Sequence, residues 1–543
     1  MRLVIKEYLL MLKEKDELDL LLCDLLFQMG YIVDSVPKTG NRQYGVDIRA
    51  HNQEETMLFV VKQGDLNRKK WDSDSNAVRQ SLDEIKDVYS ELIDKSCEKL
   101  HIIVATNGVL EETVRPNWEG YKKQNKAWDK VSVDIDFWNI DCLTDFVHRY
   151  LFDEHVFDVK LQSQLRRALY FVEENGYRNH YFECITDSFI SQLSDNDTVK
   201  DFRKKISALY LATQMIAEYA AEHGSYKIGI MVTEYLIIRY WKYLLDHDKL
   251  GTSKYIDWLL SFLAAYEKWN QKYYDTVKCI FEGPNRLPFS NPVEQRVVLY
   301  EIMGYLCSYA YYQFYKAKHS PKINIRLQEI VNSIVQAIKN YPQFFNAPYD
   351  ISIGIISMLF RLFNILDRKD DVIFLLHALC NWTAIYYTAY KKYPSSADSF
   401  EDAINIEFGF PAEEYISSAF WGTILEWVVL LDQKKIYDDV KPYLSNEFKE
   451  VTKCTWFLRA KDESKFYDRY AMNLAGEGTA FEIEKSFEKF KERVSFIMDQ
   501  YREETFSYET YSFDALEFIV CRYYGYLVRV KQENNSLDSL PND

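Results

Sequence analysis

The sequence predicts an α/β domain with a mixed sheet over residues 1–153 and a large all-α region after it. Two observations carry this. Up to about residue 153, short apolar and β-branched runs alternate with segments in which leucines recur at helical spacing. From Glu119 to Glu282 there is no proline, and ALYLATQMIAEYAAEHG, GIMVTEYLIIRYWKYLLDH and YIDWLLSFLAAYEKW repeat apolar residues every three or four positions.

Taken in order, residues 5–29 read as one helix, with Gly30 where a C-terminal cap belongs. Three short strands follow, YIVDSV (31–36), GVDIRA (45–50) and TMLFVVK (56–62), the last two expected as adjacent antiparallel partners. Pro37, Gly40 and the polar run 51–55 supply the turns. A helix over 77–95 precedes LHIIVAT (100–106), an apolar run of the kind buried on both faces of a sheet. VSVDIDFW (131–138) and a helix over 141–152 complete the domain, and strands interleaved with helices make it α/β. Everything after about 155 is expected to be helical. The three-proline loop GPNRLPFSNP divides it into lobes at 154–282 and 283–532, and QENNSLDSLPND, with 533–543 at its end, reads as a disordered tail. No motif recurs at the period of a known helical repeat, and the 42 tyrosines and 33 phenylalanines read as core filling.

Composition narrows the function classes. A chain of 543 residues, 48% hydrophobic and 27% charged, is that of a folded globular protein of roughly two to four domains. Its apolar runs are broken by charge well short of the roughly 18 residues of a membrane span, and the N-terminal stretch has no signal-peptide pattern, so a cytoplasmic protein without a membrane partner is expected. Nine cysteines without a C-x-x-C pair argue against disulfides and zinc knuckles. A net charge of -16 excludes a protein that coats nucleic acid, so any such contact must be local. The sequence has no G-x-x-x-x-G-K-[ST], G-x-S-x-G, H-E-x-x-H or H-x-E pattern.

The chemistry that remains lies in GNRQYGVDIRAHNQEETMLFVVKQGD (40–65). Asp47 opens one strand and Lys62 closes the next, so a paired hairpin sets a carboxylate and an ammonium on one face. A lysine ending an apolar strand is costly unless paired, and Asp47 is its natural partner. Such a carboxylate can hold Mg²⁺ or Mn²⁺, and the lysine can offset charge at a phosphodiester. Arg68, Lys69, Lys70 and Trp71 follow as a basic patch with an aromatic, suited to DNA phosphates, although a solvated turn is the commoner source of such a run.

The order helix, three strands, helix, strand, helix, strand, with Leu18-Asp19, Leu25-Leu26, Met29-Gly30-Tyr31 and Gly45-Val46-Asp47, resembles the Mrr-like branch of the PD-(D/E)XK restriction-endonuclease-like superfamily over residues 1–153. The resemblance implies a metal-dependent DNA endonuclease with Asp47 as metal ligand and Lys62 as catalytic lysine. It brings in Asp19 on the first helix as a residue supporting the site, or else a solvated one, and Gln80 on the second helix as a polar residue facing it. The family carries an acid or glutamine two residues before the lysine, where this chain has Val60. The missing oxygen would then come from Gln63, or from Asp65 as a second metal ligand if Gly64 lets the strand bulge after Lys62.

Three functions follow. The first is an active DNA endonuclease of the bacterial restriction or anti-phage defence type, whose helical region senses, restrains or binds a protein partner or activator, with homo-oligomers allowed. The second is a degenerate nuclease-like domain that binds DNA or a protein partner. The third is a helical RNase built on Arg149 and His155.

Overall fold

The computed structural model describes residues 2–35, 44–74, 76–92, 99–128, 131–150, 159–173, 181–283, 287, 291–319, 324–347, 352–390, 417–469, 476–502 and 504–529. The chain divides into two compact units, residues 1–232 and 233–543, a division that falls inside the helix Tyr226–Asp246 and neither at 153 nor at 282. The expected tail lies outside the described residues.

The first unit is built on a six-stranded mixed sheet. Its strands are β1 (Ile32–Ser35), β2 (Ile48–His51), β3 (Thr56–Lys62), β4 (Lys99–Thr106), β5 (Ala127–Trp128) and β6 (Val131–Trp138), in the order β1-β2-β3-β4-β6-β5. The first three form an antiparallel meander, whereas β3, β4 and β6 run parallel. The central strands β3 and β4 read as almost unbroken apolar runs because both of their faces are covered. On one face Leu58, Val60, Leu100, Ile102 and Val104 pack under Val78, Leu82 and Ile85 of α3 (Val78–Leu92) and Trp118 and Tyr121 of α4 (Arg115–Gln124). On the other, Phe59 meets Trp138 at 5.2 Å, and Trp138 meets Phe146 of α5 (Ile140–Tyr150) at 4.7 Å.

The N-terminal helix differs from expectation. Residues 5–29 do not form one helix but α1 (Arg2–Leu10) and α2 (Asp19–Gln28), separated by a π-helical turn at Glu14–Leu18. The break has a tertiary cause. The buried Asn107 amide donates to the carbonyls of Leu9 and Leu12, both at 2.8 Å, and the Gln63 amide also donates to Leu12 O at 3.1 Å. Lys13 is extended, with ψ 156°, so the helical ladder cannot run through. Carbonyls that a continuous helix would have used internally are satisfied by residues far away in sequence.

Helices continue through the rest of the first unit at α6 (Val159–Glu173), α7 (Tyr181–Ile190) and α8 (Val199–Glu222). The second unit is also mainly helical, with long members at Ser253–Val277, Pro292–His319, Asn324–Asn340 and Lys369–Tyr390. Its aromatics fill the core as expected: Tyr266, Tyr305 and Tyr309 are buried, and Tyr311 stacks on Phe518 at 3.9 Å. The expectation that everything after 155 is helical needs one correction, a three-stranded sheet of Ser417–Ser418, Thr452–Phe457 and Glu477–Phe481. TKCTWF is β-branched and aromatic, and it forms a strand because Glu477–Phe481 supplies an antiparallel partner. Among the described residues, no helix is long and apolar enough to cross a membrane.

Candidate active site

The site gathers where the β2–β3 ladder ends. Asp47 N donates to Phe59 O at 2.8 Å, one residue before β2, and the next ladder position is taken by a side chain: Asp47 Oδ2 accepts from Val61 N at 2.7 Å. The carboxylate is thereby pinned against β3, while its other oxygen accepts no hydrogen bond among the described residues. The approach to it requires glycine. Gly45 has φ +80°, and a Cβ there would lie 2.3 Å from the Ser81 carbonyl oxygen on α3. Both the positive φ and the contact exclude a side chain, so Gly45→Ala is expected to cost about 2 kcal/mol or more in a denaturation experiment. A change under about 0.5 kcal/mol would refute this packing.

Lys62 ends β3 with its side chain only 14% exposed, yet its ammonium donates no hydrogen bond among the described residues; its nearest ion-pair partner is Glu14 Oε1 at 3.9 Å. Glu14 comes from the π-helical turn and also accepts from Gln63 N at 3.3 Å. Asp19, buried at the start of α2, accepts from Leu20 N at 2.8 Å. Burial pushes the Asp47 carboxyl above the usual carboxylate range; the Val61 N–H and Lys62 oppose that, and the charges of Glu14 and Asp19 add to it. Lys62 and Glu14 therefore stand 3.9 Å apart at the end of β3, and their charges and that of Asp19 bear on Asp47. Glu14, Asp19 and Asp47 do not all close to within 4.8 Å of one another, so a tight three-carboxylate cage is absent among the described residues. A divalent ion bound through one or two carboxylates and its own waters fits the set.

The charges of Lys62, Glu14 and Asp19 all act on Asp47, but among the described residues the ion pair of Lys62 is with Glu14, which the sequence reading missed, and not with its expected partner Asp47. The only sequence signal for Glu14 is its place in KEKDELD, where a continuous helix was expected. The Gln63 side-chain nitrogen donates to Leu12 O and its backbone N–H to Glu14, and both bonds secure the turn. Gly64 does take φ +71°, but the bend carries Asp65 to the loop after β4, where Asp65 Oδ1 accepts from Val109 N at 2.9 Å. Asp65 thus holds that loop, and the charges acting on Asp47 are those of Lys62, Glu14 and Asp19. Val60 is fully buried and belongs to the core. Gln80 is exposed on α3 and its side chain makes no hydrogen bond among the described residues.

The basic patch separates into parts. Arg68 and Lys69 are exposed. Lys70 is spent on backbone, donating to Gln63 O at 2.6 Å and Asp65 O at 2.9 Å, so its ammonium holds the loop after β3. Trp71 corrects the expectation most clearly: it is 1% exposed and meets Trp118 at 6.0 Å and Tyr121 at 5.9 Å, edge to face. The turn Lys69–Ser73 rotates it into the core, where it cannot stack on a base. Of the alternative ribonuclease pair, Arg149 is exposed and His155 lies outside the described residues. No known protein family, curated protein or solved structure matches this chain.

Proposed function

We propose that this chain is a metal-dependent DNA endonuclease of the restriction-endonuclease-like, Mrr-like kind, with Asp47, Lys62, Glu14 and Asp19 as its centre. The observation that carries the reading is the Lys62 ammonium, nearly buried beside carboxylates and donating no hydrogen bond among the described residues. Keeping such a group without a hydrogen-bonding partner is costly for stability, and cost of that kind marks functional sites. Mg²⁺ or Mn²⁺ held by the free oxygen of Asp47 together with Glu14 or Asp19 would polarise a phosphate and generate hydroxide. Lys62 would bind a non-bridging phosphate oxygen and offset the charge that grows on it. Arg68 and Lys69 remain free to position the DNA backbone.

The helical region has a path to this centre. Lys204 of α8 pairs with Glu17, three residues from Glu14 in the same turn, and holds the Glu17 carboxyl below its usual range. A sensing or activating event that shifts α8 would move Glu14, which suits a restrained anti-phage effector. The degenerate, DNA-binding reading has its own support in the fully buried Val60 and the open carboxylate spacing. The two are separated by incubating the purified chain with supercoiled and linear DNA in Mg²⁺ and in Mn²⁺. Nicking or linearisation that disappears in Lys62→Ala is expected. DNA binding without cleavage in both metals, with and without cell extract supplying an activator, transfers the argument to the binding domain.

A further inference from the structure

A second polar cluster lies on the same sheet, away from Asp47. His101 of β4 and Asp134 of β6 are register partners on adjacent parallel strands, and Asp136 follows two positions on, on the same face. One donor atom from each of the three lies within 4.8 Å of the others. His101 stands five positions along β4 from Thr106, the partner of Lys62, which at about 3.3 Å per residue places it roughly 16 Å away.

The two ring nitrogens of His101 both face carboxylates. Nε2 is 3.0 Å from Asp136 Oδ2, and Nδ1 is 3.6 Å from Glu55 Oε2, too far for a hydrogen bond, so Nδ1 is buried without one. Glu55 is fixed by the Tyr31 hydroxyl, which donates to Oε1 at 2.6 Å, and Lys99 stands 3.8 Å from Oε2. Lys122 donates to Asp136 Oδ1 at 3.0 Å, leaving Oδ2 toward the histidine. The Asp134 side chain has no hydrogen bond or ion pair among the described residues. A neutral imidazole carries one N–H and one lone pair. Whichever nitrogen holds the proton, the other turns a lone pair toward a carboxylate.

A cation at Nε2 removes that conflict, since Nδ1–H then faces Glu55 and the Nε2 lone pair binds the ion. This is the arrangement in which a metal-bound histidine is oriented through its second nitrogen by a carboxylate. An imidazole with two carboxylate oxygens suits Zn²⁺, Co²⁺ or Mn²⁺ better than Mg²⁺ or Ca²⁺. We propose that His101, Asp134 and Asp136 form a second transition-metal site, independent of the Asp47 centre, with Glu55 orienting the histidine.

The test is a Co²⁺ titration of the full chain carrying Asp47→Asn, which removes the ligand of the nuclease centre, followed by visible d–d absorption and competition with Zn²⁺. Saturable binding of one ion is expected. In the same background Asp134→Asn is expected to weaken it about 10-fold or more, Glu55→Gln about 10–100-fold, and His101→Gln to abolish it. Asp134 is exposed and its side chain contributes no hydrogen bond or ion pair among the described residues, so its variant tests the site without unfolding it. No saturable Co²⁺ binding, or binding unchanged by Asp134→Asn, overturns the proposal. Because the readout is metal binding without DNA, the result stands apart from whether the chain cleaves DNA.

Discussion

Asp47→Asn is expected to lower metal-dependent DNA cleavage by on the order of 10³-fold while leaving the fold intact and, at neutral pH, more stable. The loss of activity follows from removing the carboxylate whose free oxygen faces the site. The gain in stability follows from the sign of its titration. Burial, with help from Glu14 and Asp19, raises the Asp47 carboxyl in the folded chain above its unfolded value. The folded state therefore holds that proton more tightly, and the stabilisation is complete only below the ordinary carboxylate range. It is lost as pH rises through that range to the raised folded value, so at neutral pH the ionised Asp47 is a net cost. Asparagine keeps an oxygen that can accept from Val61 N without the buried charge. Thermal melts of wild type and Asp47→Asn from acid to neutral pH should diverge, with the variant higher at neutral pH and the gap narrowing in acid. Cleavage that survives the substitution would remove Asp47 from the centre, and a variant that melts lower at neutral pH would contradict the electrostatic account.

Trp71→Ala is expected to cost about 3–5 kcal/mol of stability, the usual consequence of deleting a large buried aromatic. Its ring is the meeting point of Trp118 and Tyr121 under the sheet, so truncation opens a cavity between β3, α3 and α4. Arg68→Ala and Lys69→Ala, three and two residues earlier, are expected to change stability by less than about 0.5 kcal/mol while weakening DNA binding at low salt. Urea denaturation and a DNA-binding titration at two ionic strengths make the comparison. Equal, small stability changes in all three variants would mean that Trp71 is not a core residue.

How far the sequence could be read follows from the range over which each signal acts. Runs such as TMLFVVK and LHIIVAT carry their strand character locally, in β-branched residues buried on both faces, and the alternation of these runs with helical periodicity implied an α/β unit with a mixed sheet followed by helices. Gly45 before Asp47 and Gly64 after Lys62 were also legible, because glycine takes a positive φ at least cost and so marks a tight turn locally. The N-terminal helix was not, since what breaks it is Asn107, more than ninety residues away, bonding to Leu9 and Leu12. Glu14 entered the site only through that break. Trp71 looked like part of a basic surface because Arg68, Lys69 and Lys70 precede it, and only the turn that rotates it inward shows otherwise. The His101 cluster likewise depends on which residues β4 and β6 set side by side. Local propensity and burial pattern are written along the chain and decide the elements. Which carbonyl is taken from a helix, and which charges meet across a sheet, is decided by contacts between distant segments, which exist only once the chain has packed.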